Sequence, residues 1–239
     1  MAAATEVCPR RSPLPDGVLA QLFPPFVAGA FAPISAGTAS SLHSEEQTAV
    51  TRSVAARRYQ FTAGRACAHA ALRTIGYEGQ PVGRGSAGEP LWPPGVVGSI
   101  SHAGDLAGAV VARAEEAWGL GLDVERLEPP LAPNVERLVL TDSERTCIRP
   151  QHDLEAYRGK VAFCVKECVH KCLFPATRWV LDFQDVVVEV DLFRSRYRAV
   201  VDDRFRLQGL PLLPLEGRFA VVEGYLLAGL CVPPPGPAG

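Results

Sequence analysis

Four short stretches of the chain carry residue types and spacings suited to chemistry. The first is Gly119-Leu120-Gly121-Leu122-Asp123-Val124-Glu125, which reads as a strand. Alternate side chains of a strand share a face, so Gly121, Asp123 and Glu125 project together and Leu120, Leu122 and Val124 project oppositely. Two carboxylates ~7 Å apart at the Cα level repel each other, a cost that a divalent cation between them offsets. Gly121 is expected to leave room for a ligand beside them. An ordinary exposed strand face ending in an acidic turn has the same pattern. The second stretch, Phe163 to Phe174 (FCVKECVHKCLF), reads as a helix on which Glu167 and Lys171 are neighbours and Lys166 lies about a quarter-turn away. That set serves as a surface ion pair, or as a third metal ligand or base with lysines placed for phosphate oxygens. Cys164, Cys168 and Cys172 have helical spacing, but one helix cannot wrap three thiolates around a tetrahedral ion, so they are expected as packing residues.

The third stretch is Gly98-Ser99-Ile100-Ser101-His102-Ala103-Gly104. A strand ending in Ser-His-x-Gly brings a hydroxyl, an imidazole and free backbone N–H groups to a tight turn, a fair place for a phosphate. A serine hydrolase is not supported, because Ser101 and His102 point to opposite faces of a strand and the chain has no G-x-S-x-G elbow. The fourth group is Arg57, Arg58 and Arg65 on a helical stretch, with Arg84 in the loop after it. Guanidinium groups favour phosphate in bidentate geometry, although, taken alone, these arginines are better accounted for by a solvated helix face.

The elements that must position these residues follow from composition and breakers. The chain has 239 residues, 47% hydrophobic and 21% charged, enough to bury a substantial core and inconsistent with global disorder. Its 24 basic and 26 acidic residues leave a net charge of −2, without the bulk basic signature of a nucleic-acid coat. No run approaches the ~20 apolar residues of a membrane helix. Seven cysteines, an odd count, fit reduced thiols and a cytoplasmic setting. Arg10-Arg11 faintly suggests an export signal, but four prolines from Pro13 to Pro25 interrupt the apolar region such a signal needs. A short strand or helix is expected near Val27–Ile34, and a helix from Glu45 to Ile75 with Gly76 as its stop. Val96–Ser101, Ala107–Arg113 and Trp118–Glu125 read as adjacent antiparallel strands. Helices follow at Asn134–Ile148 and Leu154–Phe174, the latter closed by Pro175. Val186–Val190, Tyr197–Val201, Arg218–Val222 and Tyr225–Val232 read as a small antiparallel sheet, and Pro233–Gly239 as a frayed end.

The order of these motifs — arginine-bearing helix, Gly88-Glu89-Pro90-Leu91-Trp92-Pro93 loop, GSISH, GLDVE, FCVKECVHK — resembles the Sfp/EntD-type 4′-phosphopantetheinyl transferases. The signatures of that family are G-x-P-x-W-P, G-S-[IL]-[ST]-H, G-[IL]-D-x-E and F-[SC]-x-K-E-x-x-x-K, and the match runs from about Arg57 to Trp179. The resemblance implies an α/β (α+β) fold of two pseudo-twofold lobes, each a small antiparallel sheet packed with helices, divided here as 1–116 and 117–239. It implies magnesium held by Asp123, Glu125 and Glu167, with Glu167 and Lys171 in catalysis. Coenzyme A would lie in the cleft between the lobes, contacted by Arg57, Arg65, Arg84, Ser101, His102 and Lys166. The reaction implied is transfer of the 4′-phosphopantetheine arm to a serine of an apo acyl or peptidyl carrier protein by a monomer, in polyketide, nonribosomal-peptide or siderophore assembly, releasing 3′,5′-adenosine bisphosphate. His170 stands where the family has an aromatic, Cys168 replaces Ala or Ser, and Ala103 replaces Ser or Cys, changes to the pocket lining rather than its charge. A magnesium-dependent nucleotide pyrophosphate hydrolase and a non-catalytic module binding coenzyme A or carrier protein are the alternatives.

Overall fold

The structure is a computed structural model, and it describes residues 14–35, 42–51, 53–146, 153–205 and 214–235. Expectations for Cys8, Arg10, Arg11, Cys147, Ile148, Arg149 and residues 236–239 fall outside them. The fold is mixed α/β, built from two antiparallel sheets each packed with helices.

The first sheet has three strands in the order β1-β5-β4, namely β1 (Ala28–Pro33), β4 (Val96–Ala103) and β5 (Leu106–Arg113). Gly104, at φ +56°, takes the left-handed backbone that the tight β4–β5 turn requires. Helix α3 (Ala55–Thr74) lies on one face, its Ala63, Cys67, Ala68 and Ala71 packing closely on Ala107, Ala109 and Val111. The other side of β5, Leu106, Val110 and Ala112, packs on Leu120, Leu122 and Val124 of β6 (Gly119–Arg126). A strand buried on both faces is apolar throughout rather than alternating, which accounts for the run from Leu106 to Ala112.

The second sheet has the order β6-β10-β9-β8-β7, with β7 at Val186–Asp191, β8 at Arg196–Val201, β9 at Leu215–Val222 and β10 at Tyr225–Val232. Helix α6 (Arg158–Thr177) covers one face, setting Val161, Cys164, Val165, Cys168 and Cys172 among Tyr197, Phe219, Leu226 and Leu230. Helix α1 (Val18–Leu22) covers part of the other face, where Leu22 and the following Phe23 sit against Gly229. A two-stranded hairpin, β2 (Gly83–Arg84) with β3 (Pro90–Leu91), precedes β4. Among the described residues no helix is long and apolar enough to cross a membrane.

The tail strands form as expected, but four expectations need correction. Trp118–Glu125 does not pair with its neighbour in sequence: β6 pairs antiparallel with β10, Asp123 opposite Ala228, and so belongs to the second sheet. The chain leaves the first sheet through a turn whose Ala117 is fully buried, and Trp118 N–H is already bonded to Val232 O at 2.8 Å. The helix expected over Glu45–Ile75 is two, α2 (Ser44–Thr48) and α3; Val50, Thr51 and Val54 between them are β-branched and weak helix formers. Asn134–Ile148 likewise divides into α4 (Pro133–Val139) and α5 (Asp142–Thr146). There Thr141 and Glu144 form reciprocal side-chain bonds to each other's N–H (2.6 and 3.3 Å), a capping box that starts a new helix. Finally, α6 runs through Pro175 to Thr177 and ends where Arg178 turns left-handed. Pro175 has no N–H to give the Lys171 carbonyl, so the helix forgoes that one bond just before it ends.

Candidate active site

Strand β6 and helix α6 come unusually close. A Cβ on Gly121 would collide with the carbonyl oxygen of Cys168, and one on Gly119 would stand 3.0 Å from that of Cys172. The space at Gly121 is therefore filled by the helix, not left open for a ligand. Cys164, Cys168 and Cys172 face the sheet, buried and free, in keeping with a packing stripe. The close approach brings the adjoining face of α6, with Phe163, Glu167, His170, Lys171 and Phe174, alongside Asp123 and Glu125. Together they line a cleft of about 530 Å³, to which β4 contributes Ser101 and His102, α3 contributes Arg57, and the β2–β3 loop contributes Gly88 and Glu89.

Within the cleft, Lys171 Nζ lies 2.6 Å from Asp123 Oδ1 and 2.9 Å from Ser101 Oγ. Burial disfavours the Lys171 charge, but the Asp123 and Glu167 carboxylates more than offset it and hold its pKa above the ordinary lysine value. Asp123 is only 2% exposed, and its second oxygen, Oδ2, is buried without a hydrogen-bond partner. Burial, then the charge of Asp123, pushes the Glu125 carboxyl up to about 7 and raises that of Glu167 in the same direction. Arg57 donates to His102 Nε2 at 3.2 Å, and burial followed by the Arg57 and Lys171 charges lowers the imidazole pKa. A guanidinium only donates, so His102 Nε2 is the acceptor in this bond.

The three carboxylates are an all-oxygen set of the kind that suits a hard divalent cation, and the orphaned Asp123 Oδ2 is an acceptor in want of one. As they stand, among the described residues, no three His, Cys, Asp or Glu groups close into a cluster that could hold a metal ion. Lys171 occupies the space against Asp123 Oδ1 instead.

The cleft thus gathers Arg57, Ser101, His102, Asp123, Glu125, Glu167 and Lys171, and three sequence candidates stand apart from it. Lys166 points away, its ammonium donating to Val139 O (2.7 Å), Glu144 Oε2 (2.8 Å) and Phe183 O (2.8 Å), which exhausts its three protons. Arg65 is 5% exposed and donates to Val82 O and Gly83 O, both at 2.8 Å, with its guanidinium over the Phe61 ring. Burial brings its pKa down to about 10. Buried Glu46 accepts from the N–H of the same Val82 (2.8 Å), so two opposite charges grip one residue from its two sides and fix the base of the β2–β3 hairpin. Arg84 lies exposed on β2, its guanidinium against Gly88. Residue-by-residue reading missed Glu89, which pairs with Arg178 from the end of α6, and the apolar wall of Phe163 and Phe174. The wall was visible as spacing, because 163, 167, 170, 171 and 174 trace one helical face.

Residues 45–112 match the model of the 4′-phosphopantetheinyl transferase N-terminal domain, and residues 119–210 match that of the 4′-phosphopantetheinyl transferase superfamily. The 4′-phosphopantetheinyl transferase PptT of Mycobacterium tuberculosis is 34% identical over 192 residues, 78% of this chain and 84% of that protein. The 4′-phosphopantetheinyl transferase Svp of Streptomyces mobaraensis is 36% identical over 209 residues, 82% and 80% of the two chains. Enterobactin synthase component D of Salmonella typhi is 33% identical over 116 residues, about half of each. The chain therefore belongs to the 4′-phosphopantetheinyl transferase superfamily and is a transferase of that class.

Proposed function

We propose that the chain transfers the 4′-phosphopantetheine arm of coenzyme A to a serine of an apo acyl or peptidyl carrier protein, with magnesium and with release of 3′,5′-adenosine bisphosphate. The observation that carries this reading is Asp123, buried at the cleft with Oδ2 unpartnered, beside Glu125, Glu167 and Lys171. In the reaction the serine Oγ bonds to the β-phosphorus of coenzyme A as the bond from that phosphorus to the bridging oxygen breaks. Asp123, Glu125 and Glu167 would hold magnesium, which supplies charge neutralisation for the pyrophosphate. Lys171 offsets charge on the pyrophosphate and on the departing oxygen. Glu167 receives the serine proton through water. Arg57 and His102, already hydrogen-bonded to each other, bind the 3′-phosphate.

The two family matches meet across residues 113–118, which supports a division into lobes at 1–116 and 117–239, with α1 of the first packed on the sheet of the second. Action as a monomer is part of the same proposal.

Incubation with apo carrier protein, coenzyme A and Mg²⁺ tests the reading. Intact-protein mass spectrometry is expected to show the carrier gaining the phosphopantetheine mass, whereas cleavage of coenzyme A without that gain would mean hydrolysis. Asp123→Ala is expected to lower the rate on the order of 10²-fold or more while circular dichroism stays native. Near-native turnover in that variant overturns the assignment.

A further inference from the structure

β6 ends the five-stranded sheet and β4 ends the three-stranded one, and these two edges lie side by side without sharing a backbone ladder. Alternate N–H groups of an edge strand point away from its sheet, and a buried one needs an acceptor. Two serines supply it. Leu122 N–H donates to Ser99 Oγ at 3.0 Å and Val124 N–H donates to Ser101 Oγ at 3.1 Å. Ser99 and Ser101 are two apart on β4 and so share a face, matching two N–H groups two apart on β6. Both are almost fully buried.

The two rungs differ in what else they touch. Ser99 only returns a long bond to Leu122 O, at 3.4 Å. Ser101 donates its proton to Asp123 Oδ1 at 3.0 Å and accepts from Lys171 Nζ at 2.9 Å as well as from Val124 N–H. A hydroxyl has one proton to give and two lone pairs to offer, so Ser101 is fully committed and has no capacity left for substrate. Its bond and that of Lys171 both fall on Oδ1, which leaves Oδ2 the free oxygen.

We infer that Ser101 is a positioning residue: it is the rung that fastens the seam between the sheets directly to Asp123 and Lys171, while Ser99 is a rung alone. The inference rests on the proposed role of Asp123 in transfer.

Steady-state kinetics with coenzyme A and apo carrier protein, run beside amide hydrogen exchange on the full chain, test it. Ser101→Ala is expected to lower kcat about 10–100-fold, the usual effect of losing a group that orients an active carboxylate, with KM for coenzyme A changed less than about twofold. Ser101→Thr, which keeps a hydroxyl on the same carbon, restores most of kcat. Ser99→Ala leaves kcat near native. Exchange accelerates at Leu122 in Ser99→Ala and at Val124 in Ser101→Ala. If Ser101→Ala does not fold, Ser101→Cys gives the same kcat and KM comparison with the hydroxyl removed. Native kcat in Ser101→Ala, or a raised KM at native kcat, overturns the inference. An equal loss of kcat in Ser99→Ala also overturns it, because the effect would then belong to the seam alone. Asp123→Ala measured alongside separates the two levels: if it retains native turnover the site assignment fails, and if it loses turnover while Ser101→Ala does not, only the positioning role fails.

Discussion

Asp123 and Glu125 stand two positions apart on one strand, yet their surroundings differ. Asp123 has the Lys171 ammonium and the Ser101 hydroxyl on one oxygen. Glu125 faces that charge from a half-buried position, and the neighbouring Lys160 donates to Arg126 O and Pro129 O. Its carboxyl is raised from the ordinary value of 4.5 to about 7. Between those values the folded chain holds a proton that the unfolded chain has released, so Glu125 makes stability fall as pH rises through this window. In divalent-free buffer, Glu125→Gln is expected to gain stability over the native chain at about pH 7.5 but not at about pH 5, by on the order of 1–3 kcal/mol. Thermal melts at the two pH values measure this, and parallel behaviour of the two proteins would refute an uncompensated Glu125 charge. The lysines show where residue-level reading stopped. Lys166 and Lys171 are five positions apart, so they point roughly 140° apart on a helix of 3.6 residues per turn. A signature containing both does not say which one meets the cleft; the carbonyls of Val139 and Phe183 claim Lys166.

At the scale of elements, the site depends on how closely α6 lies on β6, and Gly121 sets that distance. Gly121→Ala places a methyl into the Cys168 carbonyl, and backbone cannot yield as a side-chain tip would. The expected cost is about 1–3 kcal/mol of stability, with loss of turnover because a displaced helix carries Glu167 and Lys171 with it. Urea unfolding together with transfer kinetics checks this, and a variant with native stability would mean that the helix has room to move. The tail strands and the β4–β5 hairpin were legible because each is a short apolar or β-branched run bounded by turn residues, with a partner close in sequence. β6 was legible as a strand but not in its pairing, since its partner β10 begins about a hundred residues later and periodicity carries no information about neighbours. The breaks after α2 and α4 were missed because turn chemistry at Val50–Val54 and Thr141 outweighed the surrounding helical propensity.

At the scale of the molecule, the two sheets bring different chemistry to one cleft. α3 and β4 supply Arg57 and His102, while β6 and α6 supply the carboxylates and Lys171. The proposed roles then separate by lobe. Arg57→Ala and His102→Ala are expected to lose most of the preference for coenzyme A over its 3′-dephospho form, about tenfold each if each removes one charge-assisted or neutral phosphate contact. Comparing kcat/KM for the two substrates decides it, and an unchanged preference in both variants moves the 3′-phosphate contact elsewhere. β10 has a further consequence, because it lies inside its sheet between β6 and β9 although it is the last strand in chain order among the described residues. Until residues 225–232 are in place, the strand bearing Asp123 has no ladder to join and α1 has only part of its docking face. Asp123 therefore takes up its position only once β10 has inserted beside it, so one carboxylate of the cleft waits on a segment about a hundred residues away along the chain.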